Sequence, residues 1–117
     1  MIIVSATLDY ATREDRDRAV EESAPVQQAT RDDEPGCQAY CFAPDPCVPT
    51  RIQVYELWDD GPTLADHFKH RNYEDMKTVL NRYGIVGTEN RMYLISAHEP
   101  VYSPEGLPRE TFFDGSA

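Results

Sequence analysis

The chain has 117 residues, with 21 Asp and Glu against 11 Lys and Arg, for a formal charge of −10. That length holds one domain, and 40% hydrophobic with 10% aromatic residues supplies a core, which excludes a wholly disordered chain despite a mean hydropathy of −0.61. The acidic excess is spread along the chain, so nucleic acid and anionic membranes are poor partners, no apolar run approaches the roughly 18 residues of a membrane span, and a cytoplasmic location is expected.

Ile2 to Leu8 is β-branched and mostly apolar, and reads as a buried first strand with Ile2, Val4, Ala6 and Leu8 on one face. Thr12 followed by Asp15 resembles a capping box and opens a helix from Arg13 to about Arg31. Its apolar stripe, Ala19, Val20, Ala24 and Gln27, is thin, and Pro25 is expected to kink or split it. After Pro35-Gly36, the run Cys37 to Ala43 alternates small residues (Cys37, Ala39, Cys41, Ala43) with larger ones, giving a second strand with two unlike faces. The Pro44 to Pro49 segment is a connecting loop, and Ile52 to Trp58 is a third strand with Ile52, Val54, Glu56 and Trp58 on one face.

Asp59-Asp60-Gly61-Pro62 ends that strand and starts a helix carrying Leu64, His67 and Phe68 inward. After a break at His70 to Asn72, the residues Tyr73, Met76, Leu80 and Tyr83 recur at helical spacing. Thr88 to Glu99 reads as a fourth strand, with Arg91 and Tyr93 on one face and Met92 and Leu94 on the other. The order is β-α-β-β-α(α)-β, the split βαβ pattern of a ferredoxin-like α+β domain with an antiparallel four-stranded sheet. That domain spans residues 1–99, and 100–117 form a Pro-rich C-terminal arm expected to pack on a partner subunit.

Strands one, two and four carry apolar or small residues on both faces, so a second copy of the sheet is expected to cover the side without helices. Cys37, Cys41 and Cys47 are odd in number, and Cys37 and Cys41 on one strand lie about 13 Å apart, too far to bridge. No histidine lies at metal-ligand spacing from them, so they read as reduced thiols and no metal site is assigned.

Glu34-Pro35-Gly36-Cys37 leading into a strand, then Tyr55-Glu56-Leu57-Trp58-Asp59-Asp60 and His67-Phe68 on the next helix, resemble the antibiotic biosynthesis monooxygenase family. The resemblance covers residues 1–99 and implies a dimeric α+β barrel with a small-molecule pocket between sheet and helices in each subunit. It implies a cofactor-independent monooxygenase that takes dioxygen and a quinol, polyphenol or polyketide-like aromatic substrate; other family members degrade heme or isomerise small signalling compounds. The chain has no flavin, nicotinamide or metal motif, and it departs from the heme-degrading members: their first-strand asparagine is missing, and Met76-Lys77-Thr78 stands where they carry an axial histidine.

The residues themselves admit two readings each. Glu56 is a mid-strand carboxylate among apolar neighbours, expected either to pair with a base such as Arg91 or, if unpaired, to act as a proton acceptor. Trp58 is a large core side chain or a flat wall for an aromatic substrate. His67 is a hydrogen-bonded core histidine or a base toward a phenol or quinol. His67, Glu56 and Trp58 are therefore the catalytic candidates, and Tyr73, Met76, Phe68, Arg91 and Tyr93 the substrate-binding ones. A non-catalytic binding or structural homodimer, or an isomerase using the same pocket, are the alternatives.

Overall fold

The computed structural model describes residues 1–113. The elements run β1 (Ile2–Tyr10), α1 (Arg13–Asp33), β2 (Cys37–Pro44), β3 (Arg51–Trp58), α2 (Gly61–Lys69), α3 (Arg71–Asn81) and β4 (Ile85–Leu94). The sheet order is β2-β3-β1-β4 with antiparallel neighbours throughout, the ferredoxin-like α+β arrangement expected from the sequence. No helix of the described residues is long and apolar enough to cross a membrane.

Register sorts the side chains. Val4 stands between Glu56 on β3 and Met92 on β4, and Ala6 between Val54 and Asn90, so these residues share the helix-covered face. Tyr40, Phe42, Ile52, Val54 and Trp58 from that face pack with Ala19, Leu64, Met76 and Leu80 from the helices to form the core. A shift in register between Cys37 and Ala39 changes one expectation. Cys37 lies opposite Trp58 and packs against the core, while Ala39 pairs with Leu57 on the reverse face. Burial pushes the Cys37 thiol up to about 11, and all three cysteines are free.

The reverse face is more polar than the sequence pattern suggested. Ile3, Leu57, Tyr55 and Tyr93 occupy it with Ser5, Thr7, Gln53, Glu89 and Arg91, so its apolar part is confined to one end. β4 starts at Ile85, three residues before the expected Thr88, because Tyr10 of β1 reaches it through a register shift beside Asp9. It stops at Leu94 because β1 has no strand residue beyond Ile2 to pair with. The last such link runs from the Ile95 N–H to the Met1 carbonyl at 2.9 Å.

α1 is one uninterrupted helix through Pro25, against the expected split. Pro25 and Glu21 are both exposed, so the carbonyl that the proline leaves without a partner faces water. Ala24 is exposed as well, and the buried stripe is instead mostly polar: Arg16, Ser23, Gln27 and Thr30, with Ala19 its one apolar member. Its partners explain how. The Gln27 amide donates to the Phe42 carbonyl at 3.1 Å and accepts from the Phe42 N–H at 2.9 Å, while Arg31 Nε donates to the Tyr40 carbonyl at 2.7 Å. Side chains of α1 thus replace a fifth strand along β2. Arg16 Nη1 likewise donates to the Arg51 carbonyl at 2.9 Å and braces the proline-rich loop.

Asp60 caps α2, accepting from the Thr63 N–H at 2.9 Å. The break before α3 is narrower than expected. It is His70 alone, extended at φ −80° and ψ 149°, whose Nδ1 accepts from the Asn72 N–H at 2.9 Å and so caps α3.

Beyond β4 the arm folds on itself: Arg109 pairs with Glu99 at 2.8 Å, and Tyr102 bridges to Pro108. Residues 114–117 of the expected arm lie outside the described residues.

Candidate functional site

The helix-covered face carries a half-open cavity of about 620 Å³. Val4, Ala6 and Leu8 of β1, with Phe42 and Val54, form its floor, and Tyr73, Met76 and Leu80 of α3 its roof. Polar groups gather at two places. Tyr40, Glu56 and His67 border one part of it; Lys77, Asn81, Thr88 and Asn90 border another.

Glu56 reaches this wall because β3 alternates strictly, burying Ile52, Val54, Glu56 and Trp58 together. It is 7% exposed, and Trp58 Nε1–H donates to its Oε1 at 2.9 Å. Burial pushes the Glu56 carboxyl up to about 7, aided by the charge of Glu34 and opposed by the indole bond. Arg91 does not neutralise it: register places Arg91 beside Ser5 on the reverse face, and it makes no ion pair among the described residues. The expected Glu56–Arg91 pair is therefore replaced by an indole–carboxyl hydrogen bond.

His67 is 1% exposed and held in an aromatic cage. Its ring lies 4.5 Å from that of Trp58, 5.5 Å from those of Tyr40 and Tyr73, and 5.8 Å from that of Phe68. Nδ1 sits 2.8 Å from Oε1 of Glu34, itself 6% exposed, and Asn72 Nδ2 donates to Oε2 of the same carboxylate at 3.2 Å. Burial holds His67 below the usual histidine value, and Glu34 pulls in the other direction. Among the described residues no hydrogen bond engages His67 Nε2, the Tyr40 hydroxyl or Glu56 Oε2, so the three cavity-lining groups have polar atoms free for a ligand.

The structure brings His67, Glu56, Phe68, Tyr73 and Met76 to one cavity. Trp58 stands behind it, against Glu56 and His67, and is not part of the wall. Arg91 touches the cavity rim at β4, whereas Tyr93 borders only a separate polar hollow on the reverse face. Sequence reading passed over Tyr40, Glu34 and Asn72 as site residues. Tyr40 was legible as a large strand residue in phase with Phe42. Glu34 carried a subtler signal, a carboxylate at the C-terminal end of a long helix, where the helix field disfavours it.

The fold and this cavity define a small ferredoxin-like α+β domain with an aromatic-walled cavity between sheet and helices. The chain belongs to the antibiotic biosynthesis monooxygenase family, whose model matches residues 1–79. Among solved structures, it is similar to a proposed antibiotic biosynthesis monooxygenase of Deinococcus radiodurans, with 20% identity, a TM-score of 0.76, and coverage of 88% of this chain and 100% of that one. A counterpart from Caulobacter crescentus gives 14% identity and a TM-score of 0.69 over 84% and 91%, and one from Nitrosomonas europaea 18% and 0.67 over 83% and 100%. At these identities the likeness is one of fold. A search of curated proteins gave no match.

Proposed function

We propose that the protein is a cofactor-independent monooxygenase of a quinol or polyphenol-like aromatic substrate. The observation that carries this reading is the convergence of a neutral imidazole, a carboxyl titrating near neutrality and a phenol on an aromatic-walled cavity. His67 Nε2 takes the proton of a substrate hydroxyl. Glu56 and the Tyr40 hydroxyl hold the oxygen that bears the developing charge. The electron-rich anion then reduces dioxygen: the quinol supplies four electrons, one oxygen atom enters the product hydroxyquinone, and the other leaves as water. Tyr73 and Phe68, packed edge to face at 5.2 Å, flank the ring, with Met76 filling the gap between helix and sheet.

Oxygen-electrode assays with a panel of hydroquinones and anthrones test the reading. Oxygen uptake that disappears in His67→Ala is expected; no uptake with any member, or unchanged uptake in the variant, overturns it. The adjoining base and near-neutral carboxyl also suit proton shuttling within a substrate, an isomerase chemistry. Turnover that persists without oxygen would select that second reading.

The working unit in this proposal is a homodimer. Of the eleven large hydrophobic residues exposed among the described ones, nine lie between Val86 and Phe113, in β4 and the arm. The arm leaves the domain extended, with a radius of gyration of 16.4 Å where a compact chain of this length has about 13 Å. A second copy suits this region because the adjoining sheet face is close to neutral, with Asp9 paired to Arg51 at 2.8 Å and Glu89 offset by Arg91, so two highly acidic chains can meet there. Light scattering is expected to give twice the chain mass, and removal of residues 101–117 to weaken that association. A monomer at micromolar concentration overturns the dimer, and trimming without effect on mass overturns the arm's part in it.

A further inference from the structure

We propose that Glu34 is a positioning residue, which fixes His67 in the tautomer protonated at Nδ1 and so leaves the Nε2 lone pair directed to the cavity. This rests on the reading of His67 as the base and says which nitrogen acts and what selects it. A carboxylate accepts hydrogen bonds, so with Oε1 at 2.8 Å from Nδ1 the shared proton belongs to the imidazole. Oε2 is occupied by the Asn72 amide at 3.2 Å, which keeps the carboxylate from rotating away.

The placement is costly as mere packing. Glu34 is the C-cap of the 21-residue helix α1, where the helix field repels a negative charge. Burial adds to that cost. The compensation comes from across the domain: Asn72 is the second residue of α3 and its side-chain amide donates to Oε2 at 3.2 Å, so the carboxylate meets the positive end of α3. Three elements therefore converge on one side chain, with α1 supplying the carboxylate, α2 the imidazole and α3 the stabilising field.

The turn that follows fixes the approach. Gly36 has φ +87°, and a Cβ there would come within 2.6 Å of Thr63 on α2, so only glycine lets the Glu34-Pro35-Gly36 turn press against the helix that carries His67.

Nitrogen-15 NMR of the imidazole ring in the intact protein tests this without reference to turnover. The neutral wild-type ring is expected to show a pyrrole-like Nδ1 and a pyridine-like Nε2. The reverse assignment, or a fast mixture of both tautomers, overturns the proposal even if the protein proves to be an oxygenase. In Glu34→Gln, whose fold is checked by its amide spectrum, the ring is expected to lose the single tautomer and to titrate lower than in wild type. Glu34→Asp is expected to restore the charge effect in part. Should Glu34→Gln fail to fold, Asn72→Ala serves instead, with a mixed tautomer expected; an unchanged ring spectrum in the folded variant overturns the proposal. Lost oxygenase activity with an intact Nδ1–H signature would count against the function alone.

Discussion

The indole N–H of Trp58 donates to Oε1 of Glu56 across 2.9 Å, so the chain's single tryptophan is bonded to the carboxyl from behind the cavity wall. The bond favours the ionised form, against the burial that disfavours it. Trp58→Phe keeps a ring against His67 but removes the donor. Its Glu56 carboxyl is expected to titrate above the wild-type value of about 7, measured by carbon-13 NMR of labelled glutamate, with a stability loss of about 1–3 kcal/mol from the unmade hydrogen bond.

Glu56 also links stability to pH. Its folded value, about 7, lies above the ordinary 4.5, so the folded state holds the proton more tightly than the unfolded one. The associated stability is fully present below pH 4.5 and is lost as pH rises through about 7. Glu56→Gln removes this dependence. Thermal melts are expected to show the variant more stable than wild type at pH 8, by on the order of 1–3 kcal/mol, and close to it at pH 4.5.

For the proposed reaction, His67 must be neutral to accept a proton. Burial holds its titration below 6.5, so kcat/KM is expected to climb with pH through a limb below that value, and to fall through about 7 as the Glu56 carboxyl ionises. His67→Ala is expected to lower kcat by about 10²–10⁴. A rising wild-type limb at or above the ordinary histidine value contradicts this assignment.

Gln27 bonds both backbone groups of Phe42 in the buried seam between α1 and β2. Truncation leaves both without a partner. Gln27→Ala is expected to cost about 2–4 kcal/mol, read as a lower urea midpoint, whereas Gln28→Ala on the exposed neighbouring position is expected to change stability by less than about 0.5 kcal/mol.

Pro25 interrupts the hydrogen bonding of an otherwise regular helix at an exposed position. Pro25→Ala is expected to raise stability, by up to about 3 kcal/mol, in the same denaturation experiment. A destabilised variant would show that the proline shapes α1 in a way the packing requires.

The strand and helix order was legible because β-branched runs, turn residues and helical spacing agreed along residues 1–94. Where the reading failed, a long-range contact outweighed a local rule. Pro25 does not divide α1 because the helix is held on its other side by Gln27 and Arg31 bonding β2. Cys37 changes face because one register shift in β2 reverses the alternation that the sequence displays. The site shows the same division. Glu56 and His67 stood out as an ionisable group in a strand and an imidazole on an inward helix face. Glu34 joins them only through tertiary folding, from 33 residues before His67 and 38 before Asn72. Trp58 sits behind Glu56 and outside the cavity wall, a depth that strand alternation does not encode.

The clasp of Gln27 and Arg31 along β2 bears on how the molecule can aggregate. A sheet with two bare edges is a template that can grow from either side, and each added copy presents a fresh edge to the next. Here the β2 edge has the Tyr40 carbonyl and both Phe42 backbone groups already engaged by side chains, so among the described residues the β4 edge is the one more open to strand addition. Two copies meeting edge to edge at β4 would exhaust the pairing capacity of both. Polymerisation through continuous sheets is thereby blocked at one link, and a single glutamine and a single arginine on a helix serve as the chain terminator.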